Sequence, residues 1–482
     1  MKTSIKKNII FNLFYQIVNL GFPLITVPYI SRILGVSGIG VNAFTLSITQ
    51  YFIIFGSLGL SLYGTRQIAY TRDSQSRMSE TFWSILLIRF ICLAISFALY
   101  FLLVMRIEEN RVIFLVQSVM IIATMFDISW LYFGLESICL VLVRNLFFKA
   151  LGVVGVFLLI KGPEDLLLYV SLNAGIVLFG NLILFIGLPK IIHKATLSFK
   201  EILSHTISSL KLFAPQIASQ VYLILDKTMI GLFSDIDEVA FYHQPEKLIK
   251  TILALVTSIS IVMLPRMSNL FMKGDYEKMK GYLNRTLIRS AFITIPMSFG
   301  IASIGREFLP LFLGPGYGRA EPVLLILSSI IFIISVSNVT GTQYLLPSNR
   351  TKEFTSSIVL GAIINFTINL ILIPKYGALG AAFGTVVAEA FVTGYQLYCV
   401  RSEIFFKGYL SELMQYVLSS LGMVFVIQLI RNSLGIGLLS IVYKITLGIF
   451  IYIILLSFVR NKTWLSIIRN CKNHFLRRNN KL

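Results

Sequence analysis

The sequence predicts an all-α integral membrane protein with about fourteen transmembrane helices, and three features of the chain lead to this prediction. Of its 482 residues, 56% are hydrophobic and only 13% are charged, whereas soluble globular proteins have about 25% charged residues. Apolar runs long enough to cross a bilayer follow one another along the whole chain. The segments between these runs alternate between rich and poor in Lys and Arg. Together these features exclude a soluble enzyme.

Fourteen segments are long and apolar enough to cross a membrane, which takes about 20 residues of helix. The predicted spans are residues 9–30, 39–60, 81–105, 112–133, 145–160, 166–188, 210–233, 243–264, 286–304, 323–346, 354–373, 380–400, 410–430 and 437–459. Because the first apolar run is followed by many more, it is not predicted to be a cleavable signal peptide. The spans leave only about 13 residues for each connection, so no water-soluble domain is expected between them.

The distribution of basic residues predicts the orientation of the chain. With the N-terminus placed in the cytoplasm, the segments on that side carry 26 of the 42 Lys and Arg residues. The opposite loops carry 8, and another 8 lie within spans. Such a bias predicts that both termini are cytoplasmic. The net charge of +20 therefore reflects orientation rather than nucleic-acid binding, and the basic tail at residues 460–481 is expected to contact anionic membrane lipid.

Metal and cofactor chemistry have no signature in the sequence. Cys92, Cys139, Cys399 and Cys471 lie far apart, without a CxxC pair or a His at ligand spacing. The chain also lacks the glycine-rich phosphate-binding loop of ATP-binding proteins. We therefore predict no disulfide framework, no metal site, no cofactor and no catalytic residue.

The chain resembles itself at an offset near 200 residues, which predicts two similar halves. Arg89 in the third span recurs as Arg289 in the ninth, and Arg66 after the second span recurs as Arg266 after the eighth. Because six spans per copy is an even number, both copies enter the membrane in the same direction. The predicted domains are an N-lobe of spans 1–6 (residues 1–207), a C-lobe of spans 7–12 (208–402), and spans 13–14 with the cytoplasmic tail (403–482). Two such lobes predict transport by alternating access through a cleft between them.

Charged residues inside the predicted spans indicate what that cleft binds. A charge at bilayer depth costs at least about 2.5–3.5 kcal/mol, so it normally faces the bundle interior or water. The predicted substrate-binding cations are Arg32, Arg89, Lys227, Lys247, Lys250 and Arg289, and the predicted charge partners or ion-coupling residues are Asp127, Asp226 and Glu246. Lys provides a point charge and Arg a bidentate fork, which favours a phosphate or pyrophosphate group as ligand. The alternative is that these residues form structural pairs, as the i,i+4 spacing of Glu246 and Lys250 suggests.

Four motifs, in order along the chain, resemble those of a known transporter group. They are Phe22-Pro-Leu-Ile-Thr-Val-Pro-Tyr-Ile-Ser-Arg-Ile-Leu-Gly35 with Gly38-Ile-Gly40, then Leu225-Asp-Lys-Thr-Met-Ile-Gly231, Leu264-Pro-Arg-Met-Ser268, and Ile373-Pro-Lys-Tyr-Gly-Ala-Leu-Gly-Ala-Ala382. This set is similar to that of Wzx-type polysaccharide flippases, which belong to the multidrug/oligosaccharidyl-lipid/polysaccharide exporter superfamily. Carried over by position, the resemblance marks Arg32, Asp226 and Lys227 as functional.

The resemblance implies a multi-pass protein of the bacterial inner membrane that moves a lipid-linked oligosaccharide. In such flippases the cargo is an undecaprenyl-pyrophosphate-linked repeat unit, which passes from the cytoplasmic to the periplasmic leaflet for O-antigen or capsule synthesis. The implied partners are this cargo, membrane lipid, and the polysaccharide polymerase and chain-length regulator of the same pathway.

Two transporters of the same superfamily are alternatives, and an enzyme is a third. A peptidoglycan-precursor flippase shares the fourteen spans and the cationic cavity, but the motifs resemble the polysaccharide branch more. A cation-coupled multidrug exporter is expected to have twelve spans and acidic cavity residues. A membrane-embedded glycosyltransferase or polymerase is expected to carry a large loop outside the membrane, and the sequence has none.

Overall fold

The computed structural model describes residues 5–257, 259–404, 406–431, 435 and 437–469, and in this part of the chain the secondary structure is helical without any β-strand. The α-helices are α1 (Ile5–Ser57), α2 (Leu60–Thr71), α3 (Gln75–Met105), α4 (Arg111–Met125), α5 (Ser129–Gly134), α6 (Ile138–Leu159), α7 (Leu166–Leu182), α8 (Phe199–Phe233), α9 (Ile236–Thr257), α10 (Ile259–Met272), α11 (Tyr276–Leu313), α12 (Glu321–Ser328), α13 (Ile330–Ser337), α14 (Thr351–Tyr376), α15 (Ala378–Cys399), α16 (Phe406–Ile430) and α17 (Leu438–Phe458). Short 3₁₀ segments lie at Pro163–Asp165, Ile183–Lys190 and Pro315–Ala320, and a π-helical segment lies at Asn338–Leu345. The predicted all-α class is confirmed.

Eleven helical segments in the described residues are long and apolar enough to cross a membrane. One of them, Gly21–Thr71, contains the second predicted span and the last ten residues of the first. The seventh and eighth predicted spans correspond to α8 and α9, which carry much of the intramembrane charge and are not among the eleven. A multi-pass membrane protein is therefore confirmed, while fourteen spans and cytoplasmic termini stay predictions.

A glycine separates the two spans that α1 contains. Gly35 has φ 67° and ψ −173°, a backbone conformation outside the helical region. A positive φ costs little for glycine because it has no Cβ, whereas most other residues would be strained there. Gly35 thereby breaks the helix three residues after Arg32, within the first of the four sequence motifs.

The described residues form two compact units, which divide between Ala240 and Phe241. In the first unit, α2, α3, α5 and the Ile183–Lys190 segment enclose a hydrophobic core. At its centre Trp130 stacks on Phe82 with ring centroids 5.3 Å apart. A Cβ on Gly64 would lie 2.6 Å from the Trp130 ring, so α2 approaches the indole closely only because this residue is glycine. The predicted lobe boundaries stay predictions.

In the second unit, α16 and α17 pack against α11. The Phe292 ring of α11 lies 5.8 Å from that of Tyr416 on α16 and 5.9 Å from that of Tyr452 on α17. The Tyr452 hydroxyl also donates a hydrogen bond of 2.9 Å to the Phe292 carbonyl. These contacts join the helices that correspond to the thirteenth and fourteenth predicted spans to the core of the second unit.

Candidate functional site

The fourth predicted span is not one continuous helix, and Asp127 lies at the break. α4 ends at Met125 and α5 begins at Ser129, so that Asp127 occupies the connection between them. Its Oδ1 accepts a hydrogen bond of 3.0 Å from the Ser129 backbone N–H. Non-helical backbone at membrane depth is tolerated only where protein or a water-filled cavity surrounds it. The break is therefore a place where neighbouring side chains must satisfy backbone groups.

Arg89, in the middle of α3, provides side-chain hydrogen bonds at this break. Its Nε donates to the Thr124 carbonyl (2.8 Å), which lies in the last turn of α4 and also accepts a hydrogen bond of 3.2 Å from the Asp127 backbone N–H. Its Nη1 donates to Ser61 Oγ (3.2 Å), and its Nη2 lies 3.4 Å from Asp127 Oδ2. The Arg89 side chain is only 1% exposed. Arg89 thus holds the helix break together, and its direct contact with a substrate stays a prediction.

A pocket of about 390 Å³ lies beside the break, within the first unit. We call it the α6–α7 pocket, and its lining residues are Thr124, Asp127, Ser129, Phe133, Val141, Arg144, Asn145, Phe148, Lys149, Ile176, Val177, Gly180 and Asn181. Its volume falls within the range of small-molecule sites, about 300–1,000 Å³. Gly180 on α7 faces α6, because a Cβ there would be in van der Waals contact with the Phe148 ring (3.4 Å) and with Arg144 Nη1 (3.5 Å).

Two cations line the α6–α7 pocket, and asparagine side chains hold both. Arg144 Nη1 donates a hydrogen bond of 2.7 Å to Asn181 Oδ1, and Asn181 Nδ2 donates to the Ala123 carbonyl, also at 2.7 Å. Lys149 Nζ donates to Asn19 Oδ1 on α1. Amide oxygens carry no net charge, so these bonds orient the two cations without neutralising them.

In the second unit, the predicted charge partner Glu246 forms an ion pair on α9. Its Oε1 lies 2.5 Å from Lys250 Nζ, and its Oε2 lies 3.9 Å from His243 Nδ1. The Glu246 side chain is 5% exposed and the Lys250 side chain 43% exposed. The pair has the i,i+4 spacing seen in the sequence. Lys250 therefore keeps part of its surface accessible although its charge is balanced.

The remaining predicted site residues differ widely in exposure. Arg32 on α1 and Arg289 on α11 are exposed, Lys227 on α8 and Lys247 on α9 are partly buried, and Asp226 is buried. The structure thus brings Arg89 together with Asp127 in the first unit and Glu246 together with Lys250 in the second. Substrate binding or ion coupling by any of the predicted residues stays a prediction.

An apolar groove of about 450 Å³ lies on the second unit, between α11, α16 and α17. Its walls are almost entirely aliphatic and aromatic, and Lys444 of α17 is the charged residue that lines it. Lys444 Nζ lies 2.5 Å from Glu307 Oε2, and Arg431 Nε lies 3.4 Å from Glu307 Oε1. The Lys444 side chain is 1% exposed. The charge of Lys444 is therefore balanced within the unit.

Residues 5–271, more than half of the chain, match the sequence model of the family described as "Polysaccharide biosynthesis protein". The chain belongs to this family.

Relatives and solved structures agree with membership of the polysaccharide biosynthesis protein family. A protein of Escherichia coli (strain K12) named "Putative O-antigen transporter" is 24% identical over 416 residues, 83% of this chain and 98% of that protein. The structure titled "Lipid II flippase MurJ, inward closed conformation" has a TM-score of 0.76 at 17% identity, covering 94% of this chain and 98% of that one.

An inward-facing structure of a "multidrug resistance MATE family transporter of the MOP superfamily" has a TM-score of 0.56 at 14% identity, covering 79% of this chain and 94% of that one. These two structures show a shared fold. The predicted resemblance to polysaccharide flippases of the exporter superfamily is thus confirmed. The relatives are transporters and flippases by name, which agrees with the prediction of a protein that is not an enzyme.

The cations and amides that line the α6–α7 pocket in this family member were not among the predicted site residues: Arg144, Asn145, Lys149 and Asn181. The fifth span was predicted to begin at residue 145, which placed Arg144 outside it, whereas α6 begins at Ile138. A usable signal was present, because Val141, Arg144, Asn145, Phe148 and Lys149 have the spacing of one helix face. Polar residues on one face of an otherwise apolar membrane helix indicate the side that faces protein or a cavity.

Proposed function

We propose that this protein is a flippase for a lipid-linked oligosaccharide. The proposed cargo is an undecaprenyl-pyrophosphate-linked repeat unit, which the protein moves from the cytoplasmic to the periplasmic leaflet of the bacterial inner membrane for O-antigen or capsule synthesis. The observation that carries this proposal is the match along 98% of the length of the E. coli relative named as an O-antigen transporter. Membership of the polysaccharide biosynthesis protein family and a fold shared with a lipid flippase support it.

The charges within the helices suit such a cargo. A pyrophosphate group must cross a region where an unpaired charge costs several kcal/mol, so cations along its path lower the barrier. Arg32, Lys250 and Arg289 are exposed, which is consistent with the proposed contact with the anionic headgroup. Lys227 and Lys247 are partly buried and belong to the same proposed set.

The predicted acidic residues and Arg89 have different proposed roles. Glu246 is a charge partner for Lys250, in keeping with their ion pair. Asp127 and Asp226 are proposed as further charge partners or coupling residues. Arg89 is proposed to act as a positioning residue, because its guanidinium bonds to protein groups at the α4–α5 break.

The proposed mechanism is alternating access between the two predicted lobes, residues 1–207 and 208–402. It rests on the internal repeat and on the even number of spans in each copy. Cytoplasmic termini, as the distribution of Lys and Arg predicts, place the basic tail on the side where the cargo is loaded. A polymerase and a chain-length regulator of the same pathway are the proposed protein partners.

Reconstitution into liposomes tests the proposed function. The cargo is a fluorescent undecaprenyl-pyrophosphate oligosaccharide, and a glycosidase that cannot cross the membrane reports its arrival at the outer leaflet. We expect the protein to accelerate arrival, and Arg289→Gln to slow it. Parallel vesicles hold lipid II or a cationic dye, with and without proton or sodium gradients. Acceleration of lipid II or the dye without the oligosaccharide would contradict the proposal and favour the corresponding alternative transporter.

A further inference from the structure

We propose that the α6–α7 pocket binds the phosphate-bearing headgroup of a membrane lipid, with Arg144 and Lys149 as its cationic contacts. The inference deepens the proposed function, and it rests on that function for the identity of the lipid as the lipid-linked glycan. The ligand class does not rest on the proposed function. That the two cations bind a phosphate group is argued from the contacts within the first unit.

The charge balance at the pocket is positive. Asp127 is the carboxylate that lines it, and its single charge is shared between Arg89, 3.4 Å away, and Arg144, which it attracts from a greater distance. Arg144 and Lys149 form no ion pair within the described part of the chain, and the side-chain oxygens they bind belong to asparagines. Two positive charges within one membrane-spanning helix are costly, and a bound anion offsets this cost. A phosphate or pyrophosphate group carries the charge that matches them.

The geometry of Arg144 suits a phosphate ligand. Asn181 accepts from Nη1 and is itself fixed by the Ala123 carbonyl, so the guanidinium plane is held in place. Its Nε is buried and has no hydrogen-bond partner among the described residues. A buried donor without a partner costs free energy, and a guanidinium presents its donors in a fork that matches phosphate oxygens. The amide of Asn145 lies on the same face of α6 and adds a neutral donor to the pocket lining.

The two cations lie at different depths along α6. The helix has 22 residues, and Arg144 and Lys149 are about 9 Å and about 16 Å from its start at 1.5 Å per residue. In the predicted orientation α6 starts at the cytoplasmic side. A headgroup that enters from the cytoplasmic leaflet therefore meets Arg144 first and Lys149 near the middle of the helix.

The walls of the pocket indicate a lipid rather than a free anion. Phe133, Phe148, Ile176 and Val177 line it beside the polar residues. Phe147, the neighbour of Phe148 on α6, is 61% exposed within a predicted membrane span, as expected of a side chain that faces lipid. A ligand whose chain stays in the bilayer can thus place its phosphate against the cations and its first apolar groups against these walls.

A binding experiment on the purified full-length protein in neutral detergent tests the inference. Farnesyl pyrophosphate is the lipid probe, and the readout is the ligand-dependent rise in thermal stability, since a ligand that binds the folded state stabilises it. We expect R144Q/K149Q to need at least about tenfold more probe for half-saturation, because charge-assisted hydrogen bonds are lost. The matched control is R106Q/K161Q, which removes an exposed arginine and an exposed lysine outside the pocket and should bind as the wild type does. Equal half-saturation for the wild type and R144Q/K149Q would overturn the inference.

A second variant covers the case in which R144Q/K149Q does not fold. Lys149 is exposed, so K149Q alone should keep the native stability and weaken binding about threefold, as expected for an exposed charge contact. Unchanged binding by K149Q would count against Lys149 as a contact.

Two further probes identify the source of the phosphate. Inorganic pyrophosphate should stabilise the protein far less than farnesyl pyrophosphate, and equal stabilisation would overturn the lipid assignment. Phosphatidylglycerol that saturates the same site at the same concentration would overturn the assignment to the lipid-linked glycan.

Binding and transport can fail separately. Binding that depends on Arg144, without oligosaccharide transport in liposomes, would contradict the proposed function and leave the pocket as a lipid site. Full oligosaccharide transport by a folded R144Q/K149Q variant would contradict the assignment of this cargo to the pocket and leave the proposed function standing.

Discussion

Each of the two units buries a cation–carboxylate pair among its helices, but the surroundings of the two pairs differ. In the first unit Arg89 pairs with Asp127 at a helix break, and the adjoining α6–α7 pocket contains two further cations. In the second unit Lys444 pairs with Glu307 beside an apolar groove, and Arg431 also contacts the same carboxylate. In the second unit both Lys444 and Arg431 contact the carboxylate, whereas in the first unit Arg144 and Lys149 contact asparagine oxygens and form no ion pair within the described residues.

This difference separates two uses of a charge inside a membrane protein. A buried pair fixes the position of helices, because removal of either member leaves the other charge unsatisfied. A pocket whose cations contact no carboxylate calls for an anion from outside the protein. On this basis we propose that Arg89 and Lys444 are structural residues and that Arg144 and Lys149 contact the ligand.

The largest expected loss of stability follows removal of the Asp127 carboxylate in the first unit. Asp127→Ala leaves Arg89 buried without a counter-charge, and removal of one partner of a buried pair costs about 3–5 kcal/mol. We expect a marked fall in the melting temperature of the detergent-solubilised protein and in its abundance in membranes. Asp73→Ala, at an exposed turn, is the matched control and should leave both unchanged. A melting temperature for Asp127→Ala equal to that of the control would contradict the structural role of the pair.

A smaller loss of stability is expected in the second unit. Lys444→Ala leaves Glu307 with Arg431 as a second partner, so the cost should be nearer that of an incompletely satisfied buried group, about 1–3 kcal/mol. Thermal unfolding of the purified variant measures this. The double variant Lys444→Met with Glu307→Gln should recover part of the loss, because it removes both charges of the pair. Greater destabilisation by Lys444→Ala than by Asp127→Ala would reverse the proposed order of the two sites.

Much of the fold could be predicted from the sequence because it depends on local composition. Long apolar runs determine which segments can cross a membrane, and the all-α membrane class followed from them. The break at Asp127 could not be predicted in this way, because residues 112–133 form one apolar run and the break depends on Arg89, which is distant in sequence.

The candidate site was harder to predict because it depends on pairing. Charges such as Arg89 and Arg289 look equivalent in the repeat, and only the contacts of each side chain distinguish them. Lys444 was recognised as a charge within a span, but its partners Glu307 and Arg431 come from distant segments. Arg144 was placed in a loop by a span boundary that differs from the start of α6 by seven residues.

Arg89 and Arg289 occupy equivalent positions in the repeat, but the same substitution should change the stability of the protein by different amounts. Arg289→Gln removes an exposed side chain, so its effect on the free energy of unfolding should stay within about 0.5 kcal/mol, whereas Arg89→Gln should destabilise the protein clearly. Thermal unfolding of both purified variants under one condition measures the difference. Equal destabilisation by the two substitutions would show that the repeat, rather than the local contacts, decides what these arginines do.

The most direct measurement is the amount of surface polysaccharide per molecule of protein in the membrane, in cells that depend on this chain for export. We expect Arg144→Gln to lower this ratio at least about tenfold, because a charge-assisted contact with a phosphate group is lost. Lys444→Ala should lower the abundance of the protein with little change in the ratio. A normal ratio for Arg144→Gln would contradict the assignment of the α6–α7 pocket to the cargo, and so would a ratio lost to the same extent in both variants.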